Sequence, residues 1–214
     1  LPHLMTPATA KKLSFKQQQL RFREDAILDA VNRLLSRKGF DLMTMDEVAA
    51  EVGISKASLY KHFESKEELA AASMTRLLEQ TLDHAHSLAA ELSPLKRLKA
   101  VMRWAVTAHL EGAMPSLPST RSNIQHALIG YAPYAERVGQ LTELLGGWIL
   151  QAQDTGDLSP DLPGEVILYT IYARSCDPVS DFLKTGGAFT DDEIVSYVER
   201  TCFDGITGSP DPVA

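Results

Sequence analysis

The chain has 214 residues, 44% hydrophobic and 23% charged, with a formal net charge of -7 at neutral pH. That balance describes a folded globular protein and excludes a disordered one, and no apolar run approaches the roughly 20 residues that a membrane span needs. Two cysteines, Cys176 and Cys202, are too few for a disulfide scaffold, and a small buried hydrophobe is the expected role of each.

The net charge conceals a split along the chain. Residues 1–66 carry 11 Lys and Arg against 8 Asp and Glu, a net +3, which leaves the remainder at -10. A positive front on an acidic body suits a head that meets phosphates. Leu1 to Ala10 has no basic start followed by an apolar stretch, so no signal peptide is expected and the protein is placed in the cytoplasm.

Nearly every segment longer than ten residues has a helical period, and the alternation of strands is missing. The first helix is expected over about Gln17 to Lys38, where Ala26, Ile27, Ala30, Val31, Leu34 and Leu35 form one stripe, with Gly39 ending it. Three helix starts follow in quick succession. Thr44 with Glu47 makes a capping box, Ser55 follows Gly53 and Ile54, and Ser65 with Glu68 makes a second box. A helix over about Lys66 to Ala90 leaves the head. Beyond it the spacing predicts helices near Pro94 to Gly112, Ser119 to Gly130, Tyr134 to Gln153, Gly164 to Lys184 and Asp191 to Gly205. Pro178 falls inside the penultimate pattern and predicts a kink or break there.

The segment Met45 to Phe63, MDEVAAEVGISKASLYKHF, meets the steric demands of a helix-turn-helix. Two helices crossing over a tight turn need a small residue where they touch, a turn residue that tolerates positive φ, and apolar residues facing inward. Ala49, Gly53 and the set Val48, Val52, Ile54 and Leu59 supply these.

At these residues the sequence resembles the TetR family of transcriptional regulators. GISKASLYKHFESKEEL matches that family's turn, recognition helix and start of the linking helix, above all in Leu59, Tyr60, His62, Phe63 and Lys66. The match runs back through Ile27, Leu28, Ala30, Leu35, Gly39 and Phe40. The body resembles the family only in helix count and in the loop QDTGDLSPDLPGE.

The resemblance implies an all-α chain of two domains: a three-helix head over 15–64 and a six-helix effector and dimerisation body over 65–208. It implies a repressor that binds double-stranded, palindromic operator DNA as a homodimer and is released by a small-molecule effector. By the same resemblance Tyr60, His62 and Lys66 position the head on the backbone, and Lys56, Ala57, Ser58 and Lys61 lie nearest the base edges. Ser55 and Thr44 cap helix ends that offer amides to phosphate. Ala57 and Ser58 are shorter than in many members, so the operator sequence does not carry over. The last two helices are expected to pair with those of a second copy, through the stripe Ile194, Val195, Val198, Cys202 and Ile206.

Aromatic residues spread over the body are compatible with an apolar ligand pocket and equally with a plain core. Trp104, His109, Tyr131, Trp148 and Tyr172 are the candidates to bound such a pocket, and Arg174 either meets an acidic ligand group or pairs with a body carboxylate. No metal or cofactor is expected: His84 and His86 point to different helix faces, and no HxxxH or HxxE pair appears. No nucleophile elbow, phosphate loop or dinucleotide fingerprint is present, so catalysis is not expected. The alternative from another class is an architectural DNA-binding protein without a ligand, which predicts a strongly basic chain with little interior space.

Overall fold

The computed structural model describes residues 14–115 and 124–206, and among them every regular element is a helix. The first is α1, Phe15–Leu42, started by a Ser14 capping box with Gln17 and broken near its end by Gly39 at φ 75° and ψ 173°. It begins earlier than the apolar stripe suggests, and Ala26 of that stripe lies exposed. Next, α2 spans Met45–Val52 behind the expected Thr44 and Glu47 box. Gly53 closes it in the left-handed conformation, φ 75° and ψ 33°, where any Cβ is penalised. The short α3, Lys56–Leu59, follows from the Ser55 cap.

The linking helix α4 runs from Lys66 to Ser87. Ser65 accepts from the Glu68 amide at 3.0 Å, but the second half of the expected box is absent: the Glu68 carboxylate accepts from the Glu64 amide instead, at 2.7 Å. The body continues with α5, Pro94–Leu110, α6, Ile124–Gly130, and α7, Ala132–Asp154. Residues 119–123, expected in α6, and residues 207 and 208, the expected end of the body, lie outside the described residues.

The stretch expected as one helix over Gly164 to Lys184 is two, α8 (Gly164–Ser175) and α9 (Val179–Gly186), before α10 at Asp191–Phe203. Pro178 accounts for the break, because it has no amide to donate and it disfavours the helical conformation at Asp177. Asp177 turns its carboxylate round to accept from the Val179 amide at 2.9 Å. Counting α4, the described body therefore holds seven helices rather than the expected six.

Two large cores result. That of the body gathers Leu98, Val101 and Met102 of α5, Leu145 and Ile149 of α7, and Ile171 of α8 with the inner face of α10. The core of the head draws Ile27, Val31 and Leu35 from α1, Val48 and Ala49 from α2, and Leu59 and Phe63 from the recognition segment. It also takes in Leu69, Ala70 and Ala71 of α4 and Ile124 and Leu128 of α6. The head's interior thus crosses the expected boundary at residue 64 and includes body helices. Polar contacts bind the same seam: Ser73 donates to Asn32 at 2.5 Å in a buried site, and Arg76 reaches the Asp25 carbonyl at 3.0 Å and the Asp29 carboxylate.

Candidate nucleic-acid interface and ligand cavity

The Gly53 turn lets α3 cross α2 with Leu59 and Phe63 inward, which leaves the opposite side of the recognition segment in solvent. Thr44, Ser55, Lys56, Ala57 and Lys61 are exposed, Ser58 is half-buried, and Tyr60 keeps 44% of its surface open. All seven of these expected residues are at least partly open to solvent, and six of them fall within Ser55 to Lys61. The Lys56 ammonium rests 2.8 Å from the Asp46 carboxylate, and that hydrogen bond raises its pKa. It is charged at any physiological pH.

Two residues expected on the DNA backbone are placed otherwise. The side chain of His62 is only 8% exposed, with Nδ1 3.4 Å from a Glu24 carboxylate oxygen on α1. Lys66 folds back beneath the end of α1, where its ammonium donates to the carbonyls of Phe40 at 2.9 Å and Met43 at 3.1 Å and lies 4.2 Å from the centre of the Phe40 ring. Carbonyls at the end of a helix have no partner within it, so a cation there supplies what the backbone lacks.

A third cationic feature was not singled out in the sequence. The first turns of α1, residues 14–23, carry Lys16, Arg21 and Arg23 with no acidic residue, and every one of the ten residues is exposed. From Phe15 to Ile27, the first residue of the head's core, the helix rises about 18 Å. The Glu24 contact with His62 sets this overhang beside the recognition segment. The signal in the sequence was the run SFKQQQLRFR, helical by its Ser14 cap yet lacking an apolar stripe.

In the body, a cavity of about 240 Å³ opens between α4, α5, α7 and α8. Leu77 and Leu78 of α4, Val101 of α5, Leu141 and Leu145 of α7 and Ile171 of α8 supply much of its wall. Of the six residues expected at a ligand, only Tyr172 lines it. Trp104 stacks on His84 at 5.4 Å, and Trp148 is buried in the body core under the Arg97 guanidinium, 5.6 Å from its ring. Tyr131 packs against the core of the head. His109 is buried, with Nδ1 2.9 Å from the Met114 carbonyl and Nε2 3.2 Å from the Asp181 carboxylate. Arg174 donates to Asp177 at 2.7 Å and to Thr201 at 3.0 Å, the internal pairing that was the alternative to a ligand. What the sequence reading missed was a face of α7: Tyr134, Val138, Leu141, Thr142 and Leu145, spaced as one side of a helix, all reach the cavity.

The stripe expected at a subunit seam is also placed differently. Ile194, Val195 and Val198 are 0%, 4% and 5% exposed inside the chain's own core, Cys202 packs against that core, and only Ile206 stands free at 86%. An amphipathic helix has one apolar stripe, and α10 spends its own on α5 and α8. The exposed apolar groups of this region lie instead at Val166 and Tyr169 of α8, Phe182 of α9, and Phe189 and Tyr197.

Comparison with known proteins agrees with this architecture. Residues 27–73 match the signature described as "Bacterial regulatory proteins, tetR family". Over 60 residues, 28% of this chain and 32% of that one, the sequence is 38% identical to the negative transcriptional regulator IcaR of the biofilm operon icaADBC in Staphylococcus epidermidis. The match spans 39% and 32% of the length of the curated relatives it matches first. Among solved structures, AibR in complex with isovaleryl coenzyme A and operator DNA is similar over 85% of this chain and 98% of its own, with a TM-score of 0.62 and 25% identity. The fatty acid degradation regulator FadR from Bacillus halodurans shares the fold at a TM-score of 0.67 and 16% identity, covering 92% of this chain and 98% of that one. The head of the chain is thus similar to that of the TetR family of bacterial regulatory proteins, and the helical architecture behind it is similar to that of the solved regulators AibR and FadR.

Proposed function

We propose that this protein is a cytoplasmic transcriptional repressor that occupies a palindromic operator as a homodimer and leaves it when a small effector enters the body. The observation that carries the reading is the exposed side of the recognition segment, where Lys56, Ala57, Ser58, Tyr60 and Lys61 stand together with the Ser55 cap. In this reading Ser58, Ala57 and Lys61 face base edges, while Tyr60, Lys56 and the overhang cations Lys16, Arg21 and Arg23 meet phosphates. Thr44 and Ser55 hold their helix ends toward the backbone.

The dimer seam is assigned to the exposed apolar face of α8 and α9 with Tyr197, in place of the inward stripe of α10. Support for an effector comes from the body cavity and from AibR, which holds isovaleryl coenzyme A together with operator DNA. A cavity is also what an architectural DNA-binding protein has no need of. Among the described residues no helix is long and apolar enough to cross a membrane.

The test is selection from a random duplex pool with the full chain. Enrichment of an inverted repeat, with half-site centres about 34 Å apart or a multiple of that, is expected. No enrichment, or a single asymmetric site, overturns the reading.

A further inference from the structure

The cavity's chemistry narrows what can enter it. Among the described residues that line it, none is Asp, Glu, Lys, Arg or His. An ionised ligand group would therefore lose its hydration with no opposite charge to replace it, a cost of several kcal/mol. The polar groups present are hydroxyls and one thiol, and most are already engaged. Thr81 Oγ1 donates to the Leu77 carbonyl at 2.9 Å and Ser175 Oγ to the Ile171 carbonyl at 2.7 Å. Tyr172 and Thr142 share a hydrogen bond of 3.2 Å. The Tyr134 hydroxyl has no partner among the described residues. Burial pushes the Tyr134 phenol up, so it remains a donor at every physiological pH. Burial likewise pushes the Cys176 thiol up to about 12, which leaves it protonated and no nucleophile toward a bound ester.

Size gives the second constraint. An apolar cavity of roughly 150 Å³ admits benzene, so about 240 Å³ corresponds by proportion to about ten non-hydrogen atoms. A coenzyme A thioester is several times larger, and its phosphates would find no cation among the described residues of this lining.

We propose that the cavity binds an uncharged, largely apolar molecule of about ten non-hydrogen atoms, whose single hydrogen-bond acceptor, a carbonyl oxygen, is held by the Tyr134 hydroxyl. The proposal deepens the effector reading above and rests on it. It assigns Tyr134 as the residue that sets specificity, with the Tyr172 and Thr142 pair as the polar edge beside it. Charged acids and their coenzyme A thioesters are rejected by the same lining that accepts the neutral ester.

The test is calorimetric titration of the full chain without DNA, so that failure of this proposal is read separately from failure of the operator reading. The probes are methyl benzoate and methyl hexanoate, each against its free carboxylate and its coenzyme A thioester, with ethylbenzene as a probe that lacks an acceptor. At least one ester is expected to bind at least ten-fold tighter than its carboxylate and its thioester. Tyr134→Phe, which keeps the ring and the packing, is expected to weaken that ester about five-fold, the worth of one neutral hydrogen bond, and to leave ethylbenzene unchanged. Binding of neither ester at millimolar concentration overturns the proposal. So does a carboxylate or thioester that binds as well as the ester, or a Tyr134→Phe loss equal for ester and ethylbenzene.

Discussion

The Lys66 ammonium lies 2.9 Å from the carbonyl oxygen of Phe40, across 26 positions of sequence, with the Phe40 ring beneath it. The first residue of α4 thereby fastens the end of α1, and the cation that resemblance assigned to the operator is held inside the head. Lys66→Ala should lower the melting temperature by several degrees, since two charge-assisted hydrogen bonds are worth roughly 1 to 3 kcal/mol together. The dependence of operator affinity on salt should keep its slope. A phosphate contact would flatten that slope by about 0.9 for each head, which a salt titration resolves.

The overhang of α1 should behave in the opposite way. Replacing Lys16, Arg21 and Arg23 together with Ala removes no buried group, so thermal unfolding should be unchanged. Operator affinity should fall and the salt slope should flatten, by up to about 0.9 per cation that meets a phosphate. Fluorescence anisotropy over a salt series measures both, and an unaltered slope would remove these residues from the interface.

Substitutions at the two candidate seams should separate folding from assembly. Val198→Glu places a carboxylate in the body core with no partner, and should unfold the protein or lower its stability by more than about 3 kcal/mol. Phe182, 74% exposed, tolerates charge in the monomer, so Phe182→Glu should retain the helical signal in circular dichroism and shift sedimentation to the monomer. A folded dimer in that variant would move the seam elsewhere.

Acid should loosen the head first at α2. Hydrogen bonds from Lys38 and then Thr44 hold the Glu47 carboxyl below its ordinary value of 4.5. A carboxyl depressed in the folded state contributes stability that is complete above its unfolded value and is lost as pH falls through the lower, folded one. Melting temperature should therefore drop below about pH 4.5, and Glu47→Gln should show a smaller drop over the same range while starting lower at neutral pH.

Local chemistry was legible in the sequence wherever one short stretch decides the outcome. Ser14 aside, the caps at Thr44, Ser55 and Ser65, the left-handed Gly53 and the break at Pro178 each depend on neighbours within four residues. The head could be read from Val48, Ala49, Gly53 and Leu59 because their spacing encodes one crossing of two helices. Other features depend on which surfaces meet. Lys66 and Phe40 are separated by the whole of α2 and α3, and nothing near Lys66 announces the carbonyls it finds. The stripe of α10 states that one face is covered but not by what, and its own chain covers it. Aromatic content pointed to Trp104 and Trp148, which fill space, whereas the cavity is defined by which faces of α4, α5, α7 and α8 are turned toward one another.

The inclusion of Ile124 and Leu128 in the core of the head bears on how such proteins exchange parts. A recombination event that cut the chain at residue 64 would give the new head no α6 shaped to its underside and would leave this α6 facing a stranger. Leu69, Ala70 and Ala71 would be mismatched in the same stroke. On the proposed reading, portable specificity is therefore confined to the solvent side of the recognition segment, around Ala57, Ser58 and Lys61, where substitutions would alter the reading of DNA without touching the joint. A functional chimera has to transplant that thin skin and leave the bone.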